Sequence, residues 1–311
     1  MLNDLWTTAQ NVLVLFILIA VGVATEKTHI LNDNAVKCCA NLVLYLATPC
    51  VIIKACARPF NRDMLVGFLI MAAAAVGIHL ILIAVAHLCF RDPDEGRRRV
   101  LRFSTVFSNA GYMGLPLQQA ILGDEGVFYC TAYIIVFNII MWTYGVVNIS
   151  GNKKELSVKR LLVNPGVIAV TVGLLIFLLQ IPVPSMVVDA VGHVASLNTP
   201  VPMILVGYYL AQADIPAALR DGRSYLCLAL RLVVMPLAFL GILLLCGVHG
   251  SVLTSIMICA AAPVAIACAM FATRYDCNPL LSVNLVSAST IFSVVTMPVI
   301  LALTNYVGSI A

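Results

Sequence analysis

The amino-acid sequence predicts an all-α polytopic membrane protein: ten transmembrane helices arranged as two inverted five-helix repeats, with one interrupted helix, the fourth and the ninth, in each. Three observations carry this expectation. Of 311 residues, 62% are hydrophobic and only 10% charged, and the mean hydropathy is +1.03, far outside the range of soluble domains. Apolar runs of about 20 residues, the length a helix needs to cross a bilayer, recur along the whole chain. One motif also occurs twice, Leu46-Ala47-Thr48-Pro49 with Ile53 and Leu197-Asn198-Thr199-Pro200 with Ile204, its prolines 151 positions apart. Five helices separate the copies, an odd number, so the two halves must cross the membrane in opposite directions.

The expected spans lie near 5–24, 35–57, 64–90, 100–122, 127–148, 163–180, 186–212, 223–247, 252–273 and 279–307. The first lacks a basic leading region and is long enough to span, so it reads as a retained helix and not as a cleaved signal. Residues 1–150 hold the first repeat and 151–311 the second. Loops are short, and positively charged short loops stay cytoplasmic. The richest clusters, Arg97, Arg98, Arg99 and Arg102, then Lys153, Lys154, Lys159 and Arg160, fall on one side if the N-terminus is outside. Both termini are therefore expected on the non-cytoplasmic face of the plasma membrane. The run Arg97–Arg99 with Arg102 is expected to face lipid headgroups.

The net charge of +4 is explained by these loops and gives no case for a nucleic-acid partner. The eleven cysteines lie mostly inside apolar runs, where thiols act as small hydrophobes. Cys38-Cys39 has no His or carboxylate cluster beside it, so no metal or cofactor is expected. An enzyme would need a nucleophile, base or metal set, and none of the recognisable kinds is present.

The fourth span is interrupted between Phe107 and Leu117, where Gly111, Gly114 and Pro116 fall within six positions and make continuous helical bonding doubtful. Non-helical backbone at membrane depth survives only where protein buries it or it lines a cavity. The ninth span carries the matching interruption, Ala260-Ala261-Ala262-Pro263-Val264-Ala265. Paired interrupted helices in inverted repeats are how many secondary transporters hold substrate near the midplane.

With these residues in view, the chain resembles the auxin efflux carrier family, which includes bacterial malate-permease-like transporters. The most specific match is Asn109-Ala110-Gly111-Tyr112-Met113-Gly114-Leu115-Pro116 in the fourth helix; Asn164-Pro165, Pro200 with Ile204-Leu205-Val206-Gly207, and Pro263 with Ala272-Thr273-Arg274-Tyr275 support it. The resemblance implies that the fourth and ninth helices cross at the centre as broken crossover helices, and that helices 1, 2, 6 and 7 form a scaffold through which a homodimer can assemble. Helices 3–5 and 8–10 would form a transport domain that moves as an elevator. It also implies an organic anion at the crossing, beside Asn109 and Pro263. Plant carriers tend to have Gln after the ninth-helix proline, where this chain has Val264. That leaves fewer donors and argues against an auxin-like weak acid, which stays as an alternative with a passive anion channel.

A carboxylate leaving water needs donors in return, and half-helix N-termini offer free N–H groups and a positive dipole end. Asn109 can add an amide, Ser108 a hydroxyl and Tyr112 an amphipathic wall; Gly111, Pro263 and Val264 complete the expected substrate-binding set, and Gly114, Pro116, Pro49 and Pro200 are the expected crossover or hinge positions. Every acidic residue falls at a helix end or in a loop, which disfavours a cation antiporter. His79, in mid-span, reads as a packing residue with proton coupling as the alternative. Arg231, inside the eighth span, is expected either to snorkel to the headgroups or to face the cavity and attract the anion. Asn138, Asn284, Ser287, Ser289 and Ser293 read as interhelical glue.

Overall fold

The computed structural model describes residues 2–156, 163–212 and 221–308; Lys159, Arg160 and Arg220 lie outside the described residues. Eleven helical segments follow in order: α1 (Leu2–Lys27), α2 (Asp33–Cys56), α3 (Arg62–Cys89), α4 (Glu95–Val106), α5 (Ala110–Ser150), α6 (Pro165–Leu179), α7 (Ser185–Ala211), α8 (Gly222–Leu245), α9 (Gly250–Ala261), α10 (Ile266–Arg274) and α11 (Pro279–Gly308). Among the described residues, six of these (α2, α3, α5, α7, α8 and α11) are long and apolar enough to cross a membrane. Large apolar side chains line the outside, as lipid contact requires: Leu69, Leu80 and Leu88 on α3 are all more than half exposed.

Helix starts are set by short polar side chains that accept from otherwise free N–H groups. Asn61 Oδ1 accepts from Asp63 and Met64, Asp94 from Arg97, Asn164 from Gly166 and Val167, and Asp221 from Arg223 and Ser224. At 1.5 Å per residue, the 41 residues of α5 would run about 60 Å, twice the hydrocarbon thickness. The chain therefore turns at Gly123, whose φ of 62° and ψ of −149° are not helical. A Cβ placed on Gly126 would sit 3.1 Å from the Gln118 carbonyl oxygen, an approach that a straight helix forbids.

Three prolines inside helices share one device. Each of Pro49, Pro116 and Pro236 follows a widened π turn, Val43–Ala47, Ala110–Gly114 and Leu230–Val234. Proline has no N–H and its ring collides with the carbonyl four residues back. The wider turn relieves this by letting the preceding residue bond five back: Thr48 N–H to Val43, Leu115 to Ala110 and Met235 to Leu230. Pro49 and Pro116, expected as hinges, thus sit in continuous helix. Pro200 opens a helical stretch after the short turn Ser196–Asn198.

α1 and α7 touch backbone to backbone at two glycines: a Cβ on Gly22 would collide with the Ile204 carbonyl and one on Gly207 with the Ile19 carbonyl, and small residues are what let two helices approach so closely. The arginines after Asp92, expected to face headgroups, also take part in ion pairs. Arg97 bridges Asp92 and Asp221, Arg223 also pairs with Asp92, and Arg99 pairs with Glu95. With Asp92 only 4% exposed, a buried carboxylate draws Arg97 and Arg223 inward, tying the start of α4 to the start of α8.

Candidate functional site

The two interruptions meet. Phe107–Asn109 and Pro263–Ala265 run antiparallel, with Ser108 opposite Val264. The Asn109 N–H donates to the Pro263 carbonyl at 2.8 Å, and the Ala265 N–H to the Phe107 carbonyl at 3.0 Å. Each break so satisfies backbone groups that the other leaves free, as a low-dielectric interior demands. On the second strand the cause is Pro263, which bars the residue before it from helical geometry; Ala262 is extended at φ −60° and ψ 145°. On the first strand the break falls at 107–109, ahead of the glycines. Gly111 and Gly114 lie in the π turn that follows, so Gly114 and Pro116 flank the crossing and do not form it.

Four half-helix ends converge here: the C-termini of α4 and α9 and the N-termini of α5 and α10. Arg231, fully buried, lies among the carbonyls. Its guanidinium donates to Ala260 at 2.7 Å and Ala262 at 3.1 Å, with a longer contact to Thr105 at 3.5 Å. This departs from both placements expected of it, headgroup and cavity. Five fixed donors suit it to uncapped carbonyls on two neighbouring helix ends. Each helix end carries roughly half an elementary charge, so one guanidinium offsets the two negative ends. The two positive N-terminal ends are left without an ionic partner among the described residues.

Around the crossing, polar side chains divide into paired and unpaired. Ser108 Oγ lies 3.1 Å from Tyr133 Oη, and Ser289 Oγ accepts the Val264 N–H at 3.0 Å. Asn138 Nδ2 donates to Ile134, and Asn164 Nδ2 donates to Asn138 Oδ1. His79 is buried against the Tyr133 ring, its Nδ1 2.7 Å from the Ala75 carbonyl. Asn109, 2% exposed, keeps an unpaired buried Nδ2, an arrangement that costs about 1–3 kcal/mol unless a partner arrives.

Asn109 lines a cavity of about 360 Å³ together with Ser108, Gly111, Tyr112, Trp142 and Arg274. Pro263 and Val264 are held in the strand pair and do not line it, while Ala265 does. Most of the remaining wall is apolar, from Ile134, Phe137, Met141, Met270 and Phe271. A second cavity, about 190 Å³, is lined by Val51, Lys54, Pro116, Gln119, Asn198 and Thr199 among others. Along α2 the first cavity takes Val43 to Thr48 and the second Val51 and Lys54, so the two follow one another along the helix. Between them Thr48 Oγ1 donates to Asn198 Oδ1 at 2.8 Å, joining the two copies of the repeated motif. Among the described residues each cavity is lined by one cation and by no carboxylate; Lys54 is held by Asp124 at 3.7 Å.

Sequence reasoning did not single out Trp142 or Arg274 as site residues. Arg274 stood in the family motif, but its place at the cavity depends on how α10 leaves the crossing. Trp142 carried no signal beyond being a tryptophan in an apolar run.

Crossed interrupted helices between two cavities, inside a chain of apolar membrane-spanning length, are found here in a membrane transporter. The chain belongs to the membrane transport protein family, whose model matches residues 7–301; this is the family of the auxin efflux carriers that the Asn109–Pro116 motif resembles. It is similar to an uncharacterized transporter of Methanocaldococcus jannaschii, 21% identical across 92% of this chain and 95% of the relative. An uncharacterized transporter of Methanothermobacter thermautotrophicus is 23% identical across 94% of this chain and 96% of its own length.

Proposed function

We propose that the protein is a secondary transporter of small organic anions, of the malate-like carboxylate kind, working by elevator-type alternating access in the plasma membrane. It does so as ten spans in two inverted repeats with both termini non-cytoplasmic. The observation that carries this reading is the unpaired Asn109 Nδ2 on a cavity without a carboxylate. A carboxylate entering that cavity meets an amide donor and the positive helix ends that Arg231 leaves unopposed. Pro263 acts through the backbone: it holds the partner strand that fixes Asn109 in place. The two successive cavities, separated at Thr48 and Asn198, fit access from alternate sides, and the α1–α7 contact with α2 and α6 fits a scaffold.

Uptake of labelled malate and of other carboxylates into proteoliposomes, with and without Asn109→Ala, tests the reading. Saturable uptake with counterflow, reduced at least tenfold by the substitution, is the expected result. Unsaturable flux would make the protein a channel, and unchanged uptake would remove Asn109 from the site.

A further inference from the structure

The larger cavity holds a second unpaired donor that the proposed anion site does not use. Trp142 Nε1 is buried on the cavity wall with no hydrogen-bond partner, and an indole nitrogen can only donate. Arg274 lines the same cavity and forms no ion pair among the described residues; its guanidinium lies 5.6 Å from the centroid of the Tyr275 ring. Asn138 and Asn164, the other amides on the wall, spend their donors on each other and on Ile134.

These two groups lie well away from Asn109. Tyr133, on α5, touches Ser108 at the crossing, and Trp142 is nine residues further along, about 13 Å at helical rise. On the facing wall α10 begins at Ile266, beside the crossing, and ends at Arg274, about 12 Å on. The walls are in register, because the Trp142 and Phe271 rings meet edge to face at 5.4 Å. Between the two donor levels the lining is Ile134, Phe137, Met141 and Met270.

We infer that Trp142 and Arg274 form a second anchor, and that the ligand is an elongated dianion with an apolar middle, held by one carboxylate at Asn109 and by the other at Trp142 and Arg274. This rests on the anion reading of the Asn109 site and adds a length requirement to it. A four-carbon diacid reaches one anchor at a time. A longer α,ω-diacid reaches both and covers the apolar wall between them. Both anchors present donors to the ligand, so an ionised carboxylate end gains most there, a neutral acceptor gains less, and a cationic end is repelled at Arg274.

The test is binding to the purified full chain, measured by calorimetry with succinate, adipate and suberate and with the monoacids hexanoate and octanoate. Adipate or suberate is expected to bind at least tenfold tighter than succinate and than the monoacid of equal length. Trp142→Phe keeps a ring against Phe271 and loses the N–H. Together with Arg274→Gln, it is expected to erase most of that tenfold margin while leaving monoacid affinity within about twofold; Arg274→Lys should restore part of it. An unaltered melting temperature of Trp142→Phe shows that the cavity is intact. Equal affinity for diacids and monoacids, or equal loss of both in the two variants, overturns the second anchor while the Asn109 site stands. Undiminished binding of every acid by Asn109→Ala overturns both readings.

Discussion

The two strands of the crossing look alike in backbone and differ in what their side chains are left to do. Around Pro263–Ala265 the polar groups find partners on neighbouring elements. Val264 donates to Ser289, the Pro263 carbonyl accepts from Asn109, and the carbonyls of Ala260 and Ala262 are taken by Arg231. Phe107–Asn109 takes part in the same two strand bonds, yet Asn109, a residue that lines the cavity, keeps a buried side-chain nitrogen without a partner. The break at Pro263–Ala265 is built for position and the break at Phe107–Asn109 for contact. A proline with flanking alanines suffices for the first task, since small residues let the strands close up and proline removes the helical alternative. The second task needs a donor kept free at a cost to stability, and a rigid neighbour is what keeps it aimed.

Substitutions on the two strands should therefore separate function from stability. The largest effect on stability is expected from Arg231→Met, which leaves the carbonyls of Ala260 and Ala262 unbonded and should cost about 3 kcal/mol or more. Arg231→Lys, with charge but no fork, should recover part of the melting temperature. The largest functional effect without loss of stability is expected from Asn109→Ala: loss of one hydrogen bond to a charged ligand, about 1.5–3 kcal/mol, is a loss of affinity of about 10- to 150-fold. Ser289→Ala removes the acceptor of the Val264 N–H and should lower stability by about 1–2 kcal/mol, with anion affinity following only as far as the strand shifts; a loss of affinity as large as that of Asn109→Ala would break the division of labour.

The smallest effect lies outside the membrane and serves as a control. At Asp221 burial works to raise the carboxyl pKa, but hydrogen bonds from Ser224 and Arg97 outweigh it and hold the pKa below its usual 3.8. A depressed pKa contributes stability that is present above the usual value and is lost as pH falls through the folded one. A slight drop in melting temperature is thus expected below about pH 4 and should vanish in Asp221→Asn, with the crossing unaffected.

Some of this arrangement was legible in the sequence and some was not, for physical reasons. The ninth-span break could be placed at Pro263 because proline acts on its immediate neighbour. The fourth-span break was placed only as a stretch, Phe107 to Leu117, with Gly111, Gly114 and Pro116 taken as its cause; the π turn absorbs Pro116 without ending the helix, and the interruption at 107–109 has no breaker of its own and follows from pairing with the other strand. Asn109 stood out as an amide beside glycines in an apolar run. Arg231 was noticed, but its partners are backbone carbonyls of another helix, and carbonyls leave no mark in a sequence. The pairing of Arg97 was hidden for a related reason: Asp221, which binds it, is more than a hundred positions away.

The central claim is that the unpaired Asn109 amide is the anion's ligand, and equilibrium binding of a carboxylate to Asn109→Asp tests it most directly. This substitution keeps the size of the side chain and replaces a donor with an acceptor that repels an anion. Abolished binding in a variant that melts like the unsubstituted protein is the predicted result. A dissociation constant within twofold of that of the unsubstituted protein would contradict the account.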